Sequence, residues 1–301
     1  MKKVKLKRIL QNILMVILLL FGVGILVYPD IANWWYNNRH IAMLQEYDEI
    51  VEGMSEEEIE YELGRARAFN DGMSGIHIED PFMPNSGAVI SAEYYSILNF
   101  DGIMGRIEIP VIDVNLPIFH GTSDETLNRG AGHMENTPFP IGGYGNHSII
   151  TAHTGLVNMR LFTDLIMLRN GDLFIVDVLG HRIAYEVDRI DIVLPHEIEI
   201  LVSYEDRDLI TLVTCTPYAV NSHRLLVRGT RVDYIPDMAE DIVDITVPLN
   251  TRLLIVIGFS ILFMLIILFF WRKKRKATEG KKFDEQIKRE YEECQWGEDY
   301  V

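Results

Sequence analysis

Cysteine is scarce in this chain of 301 residues, with two in all, Cys215 and Cys294. That excludes a small disulfide-stapled scaffold. Net positive charge is also lacking: the formal charge is -16 at pH 7. The outer flanks of its two apolar runs are nevertheless basic, so the stretch from about Tyr28 to Asn250 must be strongly acidic. Nucleic acid is therefore a poor partner, as are anionic lipid and an acidic polymer, because like charge repels. There is no internal repeat and no segment of low complexity. The histidines show no metal-ligand spacing, so no metal and no cofactor is expected.

What the chain does have is two long apolar runs, Ile9 to Val27 and Leu253 to Phe270, each nearly free of polar side chains. Spanning a hydrocarbon core of about 30 Å takes roughly 20 apolar helical residues. Lys2, Lys3, Lys5, Lys7 and Arg8 precede the first run, and Arg272, Lys273, Lys274, Arg275 and Lys276 follow the second. The positive-inside rule then places both termini in the cytoplasm, in a two-pass cell-membrane protein with a large extracytoplasmic loop. Tyr28, Trp34, Trp35 and Trp271 fall near the expected interfaces, where amphipathic rings are favoured. A cleaved signal is the rival reading of the first run, but Tyr28-Pro29-Asp30 offers no small-x-small site.

The expected organisation is a basic cytoplasmic N-terminus (1–8) and a transmembrane helix (9–27), followed by extracytoplasmic helices and a loop (28–96). A strand-rich domain (97–235), a linker (236–252), a second transmembrane helix (253–271) and a charged cytoplasmic tail (272–301) complete it. Ile31 to about Phe69 carries apolar residues at helical spacing among many Glu, which predicts one or two amphipathic helices. Asn70 to Ala88 reads as a loop. From Met104 onward short apolar runs predict strands at Gly105–Ile109, Ser148–Ala152, Leu173–Val178, Ile183–Ile192, Leu209–Thr214 and Leu225–Val232, with one helical stretch near Met159–Arg169. The fold class is mainly β, a mainly antiparallel barrel or sandwich with helices at its start.

The chemistry centres on Cys215, the last residue of an apolar strand. If the strands on either side of Pro217 and Asn221 pair as a hairpin, Arg224 faces Cys215, with side chains about 5 Å apart. A fixed cation favours the thiolate, which is the nucleophile, and a guanidinium can donate to an oxyanion. Arg228, on the same strand face, competes for that role. A thiol also needs a proton acceptor, and among the histidines of the outer loop His153, at a strand end before Thr154-Gly155, has the most suggestive setting, with His120, His133 and His147 left open. A buried, inert thiol and an arginine paired to surface acid are the plainer readings of the same residues.

Thr151-Ala152-His153, Thr211-Leu212-Val213-Thr214-Cys215 and Arg224 together resemble the active-site signature of the sortases. Cys215-Thr216-Pro217-Tyr218 and the run from Asn221 to Gly229 are similar to the class C, pilin-assembling branch of that Gram-positive family, and the likeness covers about Ile97 to Val232. Asp80-Pro81-Phe82 resembles the lid of that branch; its plainer reading is an Asp-Pro turn. The resemblance implies an eight-stranded β-barrel with N-terminal helices, flanked here by two transmembrane helices. It makes Cys215 the nucleophile, His153 the general acid and base, and Arg224 the oxyanion stabiliser. It also implies cleavage of an LPxTG-like sorting signal between Thr and Gly, and transfer to a lysine amine of another pilin subunit. The alternatives are a housekeeping sortase that anchors surface proteins to peptidoglycan and a nonenzymatic membrane-anchored scaffold. A papain-like protease is disfavoured because its cysteine precedes its histidine.

Overall fold

A computed structural model describes residues 2–73, 80, 82, 92–200 and 204–235, with single positions at 258, 260, 263 and 287. Pro81, the linker, nearly all of the second apolar run and the tail with Cys294 lie outside the described residues. Contacts divide the chain into a unit Pro29–Thr246, which holds the barrel, and a unit of the two ends, Met1–Tyr28 with Val247–Val301.

Helix α1, Lys2–Glu52, contains the first apolar run and continues without interruption through Pro29. The expected separate membrane and amphipathic helices are thus one element. Proline removes a single backbone donor, and the strongly helical sequence on both sides carries α1 past it. Among the described residues this is the one helix long and apolar enough to cross a membrane. Beyond Pro29 its character changes. Tyr47 is buried with Ile103 and Phe119, and its hydroxyl donates to Met104 O and accepts from Leu179 N.

Helix α2, Glu56–Asp71, starts at Ser55 with a capping box to Glu58, and Glu56, Glu57 and Glu58 fill its positive N-terminal turn. It buries Leu63 and Ala66 against the barrel. At its end Asn70 exchanges two hydrogen bonds with the Phe139 backbone, of 3.1 and 2.7 Å. The chain leading to Asp80 therefore departs from a fixed point.

Eight strands close a barrel in the order β1-β2-β3-β4-β7-β8-β6-β5. They are β1 Ile103–Ile109, β2 Val114–His120, β3 Ala131–His133, β4 His147–Thr151, β5 Leu173–Val178, β6 His181–Val193, β7 Leu209–Thr216 and β8 His223–Val232. Closure leaves no free edge, and an eight-stranded barrel fills its interior with side chains. Ile107, Ile118, Ile150, Val176, Leu212 and Val227 are among those in the core.

Six strands stand where periodicity predicts them, whereas β2 and β3 have no such expectation. Pro117 interrupts β2, a mark against strand, and β3 is three residues long. The expected helix near Met159–Arg169 is the 3-10 turn Thr163–Met167. Two pairings, β2 with β3 and β4 with β7, are parallel. The second of these brings two distant segments of sequence to one rim.

Candidate active site

Every residue of β7 is buried, and Cys215 lies one residue from its end. Antiparallel pairing with β8 sets Cys215 opposite Arg224 as Cα partners, a separation that lets the two side chains meet. On the other side β4 runs parallel, with Thr151 abreast of Val213. The pairing continues past the strand: Ala152 N donates to Val213 O at 3.3 Å, and Thr214 Oγ1 donates to Ala152 O at 2.8 Å. Two residues beyond each member of the Thr151 and Val213 pair come His153 and Cys215. The barrel thus brings His153, Cys215 and Arg224 together from two segments about sixty residues apart in sequence.

The loop after His153 is held in place by its backbone. Phe162 N donates to His153 O at 3.1 Å, and Gly155 N donates to Thr163 Oγ1 at 3.3 Å. Gly155 has φ +78, and an added Cβ would stand 3.3 Å from Ala219 N in the β7–β8 turn. A side chain there would be strained and would push the two loops apart.

Asp80 closes over this rim. Its carboxylate accepts from Arg224 Nε at 2.8 Å and Nη2 at 2.7 Å, a bidentate pair in which both side chains are almost wholly buried. The remaining nitrogen, Nη1, donates to Asn221 O and His223 O at 3.2 and 3.1 Å. The Phe82 ring lies 5.8 Å from that of His153 and 5.1 Å from Arg224 Cζ. It also packs on Met134, Ile149, Val213 and Leu226. Cys215 beneath is 9% exposed.

Burial pushes the Cys215 thiol above its ordinary value; Arg224 pulls it back and Asp80 pushes it up again. Burial holds the His153 imidazole below its usual value, opposed by the charge of Asp124. At neutral pH the pair is therefore thiol and neutral imidazole, because burial disfavours both charged forms and Asp80 offsets part of the pull of Arg224 toward thiolate. Asp124 opens the four-residue helix α3, Asp124–Leu127. No sequence signal singles it out, because its approach to His153 exists only in the folded chain.

The other histidines serve the core. His133 is fully buried, bonded through its ring to Tyr94 Oη, Pro138 O and Thr137 Oγ1, and burial pushes its pKa down to about 3. His120 Nε2 meets Ile97 O at 2.8 Å and His147 Nε2 meets Thr211 Oγ1 at 2.7 Å. Arg228, the competing arginine, pairs with Asp188 at 2.9 and 3.0 Å and lies opposite Thr211, away from the thiol. Among the described residues no three His, Cys, Asp or Glu side chains gather as metal ligands would.

A closed barrel with a cysteine, a histidine and an arginine on one rim has the groups that thiol acyl transfer requires. The chain matches the sortase domain over residues 107–232. It is 41% identical to a sortase C-1 from Streptococcus pneumoniae, covering 64% of this chain and 100% of that one with a TM-score of 0.61. A pilus-related sortase C of Group B Streptococcus is 40% identical, with 63% and 97% covered and a TM-score of 0.59. A sortase A of Streptococcus agalactiae is 31% identical over 118 residues, which are 38% of this chain and 47% of that protein. The chain thus spans about half the length of that relative. It belongs to the sortases, a family of cysteine transpeptidases, and its structural neighbours are sortases of class C.

Proposed function

We propose that this protein is a membrane-anchored class C sortase that joins pilin subunits. The observation that carries the reading is the bidentate Asp80 clamp on Arg224 directly over Cys215, with His153 abreast. Cys215 gives its thiol proton to His153, and Sγ attacks the Thr carbonyl carbon of an LPxTG-like sorting signal. The tetrahedral oxyanion is held by Arg224 once Asp80 has withdrawn, and the Thr–Gly C–N bond then breaks as His153 protonates the departing amine. A thioester remains. A lysine amine of another subunit attacks it, His153 accepts a proton, and the thiolate leaves with an isopeptide bond formed.

No ATP is needed, because the cleaved amide is exchanged for a thioester and then for a new amide. Between Lys7 and Lys273 the chain has no lysine, so the barrel offers no side-chain amine of its own to the thioester. That favours an acceptor on another molecule. The lid of Asp80, Pro81 and Phe82 is read as the resting cover that keeps water from the site. Two membrane spans, both termini inside, complete the proposed topology.

The test is incubation of the detergent-solubilised chain with a Leu-Pro-x-Thr-Gly peptide and inspection by intact mass. A hydroxylamine-labile adduct that disappears in Cys215→Ala is expected. Absence of any adduct, even in Asp80→Ala where the clamp is gone, would sink the reading. A second reading, anchoring of surface proteins to peptidoglycan, is favoured by the likeness to a sortase A. Offering a pilin lysine and a cell-wall peptide amine as rival acceptors separates the two.

A further inference from the structure

Four exposed apolar side chains stand on neighbouring segments of the barrel unit. Val111 lies in the 3-10 turn Pro110–Ile112, Val157 in the loop after His153, and Ile166 and Met167 in the turn Thr163–Met167; each is more than half exposed. The two turns touch one another. The same region meets α1, where Asn33 Oδ1 accepts from Arg160 N at 3.0 Å. Beside Asn33, α1 presents Ile31, Trp34 and Trp35, also more than half exposed, with Arg39 6.0 Å over the Trp35 ring. Arg160 and Arg169 are exposed here too.

Chain length decides what can cover this surface. Val27 ends the first apolar run and stands six residues before Asn33, and six residues reach no further than about 20 Å even when extended. With that run in a bilayer, Asn33 and the loop bonded to it stay within that distance of the hydrocarbon. At such a depth indole rings are favoured, and arginine reaches phosphate while its stem lies on apolar surface.

We propose that Val111, Val157, Ile166 and Met167, with Trp34 and Trp35, form a surface that rests on the outer leaflet of the bilayer anchoring this chain. The contact adds a second attachment to that of α1 and sets the height and tilt of the barrel. The Val157 loop begins at His153 and is bonded back to it through Phe162 N, so the surface holds the histidine side of the active-site rim close to lipid. The proposal rests on reading α1 as a membrane anchor, and its test separates the two.

The full chain, carrying Cys215→Ala and Cys294→Ser, is placed in phosphatidylcholine nanodiscs with a single bimane label at Met167→Cys or at Tyr144→Cys. Tyr144, 83% exposed, lies in the loop before β4, at the end of the barrel away from Cys215. Replacing the lipid by a brominated analogue is expected to quench the Met167 label at least about threefold more than the Tyr144 label. Equal quenching, with the chain still resisting alkaline extraction, overturns the docking surface and leaves the anchor standing. A chain that alkali extracts overturns both. Quenching lost in a Val157→Ser/Ile166→Ser variant that keeps its thermal transition would tie the contact to these side chains.

Discussion

Arg224 and Arg228 lie on one strand and one face, four residues apart, and each holds a carboxylate through Nε and a terminal nitrogen. Their surroundings differ. Arg228 pairs with Asp188, which also accepts from Arg207 and Thr230, in a network that ties β6 to β8. Arg224 pairs with Asp80, a residue far off in sequence with no strand of its own, and it faces a thiol. Identical chemistry therefore fastens two barrel strands in one place and holds a segment from outside the barrel in the other. What distinguishes them is whether the partner acid belongs to the barrel.

The largest expected effect breaks the comparison at Arg224. Arg224→Ala should reduce transpeptidation by about 10²- to 10³-fold, the usual cost of losing an oxyanion donor, while Arg228→Ala leaves turnover within a few-fold. Equal losses in peptide turnover would show that the strand needs both arginines only as structure. Next comes the clamp. In Asp80→Ala the thiol loses its cover and a negative neighbour while keeping Arg224, so alkylation of Cys215 should accelerate roughly tenfold. An unchanged rate by mass spectrometry would mean that Asp80 closes nothing.

A smaller effect sharpens the matching contrast between histidines. In the unfolded chain His133 binds a proton near pH 6.5, whereas in the folded chain burial delays this to about pH 3. Between those values the unfolded state holds more protons, so stability falls as pH falls. Lowering pH from 6.5 to 5 should remove about 2 kcal/mol through this residue. His133→Gln should flatten the pH dependence of denaturant unfolding even if it lowers stability at pH 7. His153 is shifted in the same direction but lies at the rim, and His153→Gln should abolish turnover with a much smaller change of slope. The least effect is expected from Arg228→Ala in thermal unfolding, a loss of about 1 kcal/mol, or about 2–4 °C for a unit of this size, since Asp188 keeps Arg207.

Much of this could be read from order along the chain, for reasons specific to each element. Strands β5 and β7 are bounded apolar runs, and periodicity locates them. The placement of Arg224 opposite Cys215 needs only that β7 and β8 pair at the ends of their turn. By contrast β2 carries Pro117, β3 is too short to have a period, and α1 runs on through a proline that sequence reasoning treats as a boundary.

The sequence by itself determined the apolar run and basic flank of α1, the acidic middle, the mainly β class and the Cys215–Arg224 hairpin, because each depends on neighbours in the chain or on composition. Only the tertiary structure decided which histidine stands beside the thiol, which arginine is clamped and that Asp124 bears on His153. Those relations pass through the parallel β4–β7 pairing and the approach of Asp80 across 144 residues. Contacts of that range arise from barrel closure and burial, which no local periodicity records.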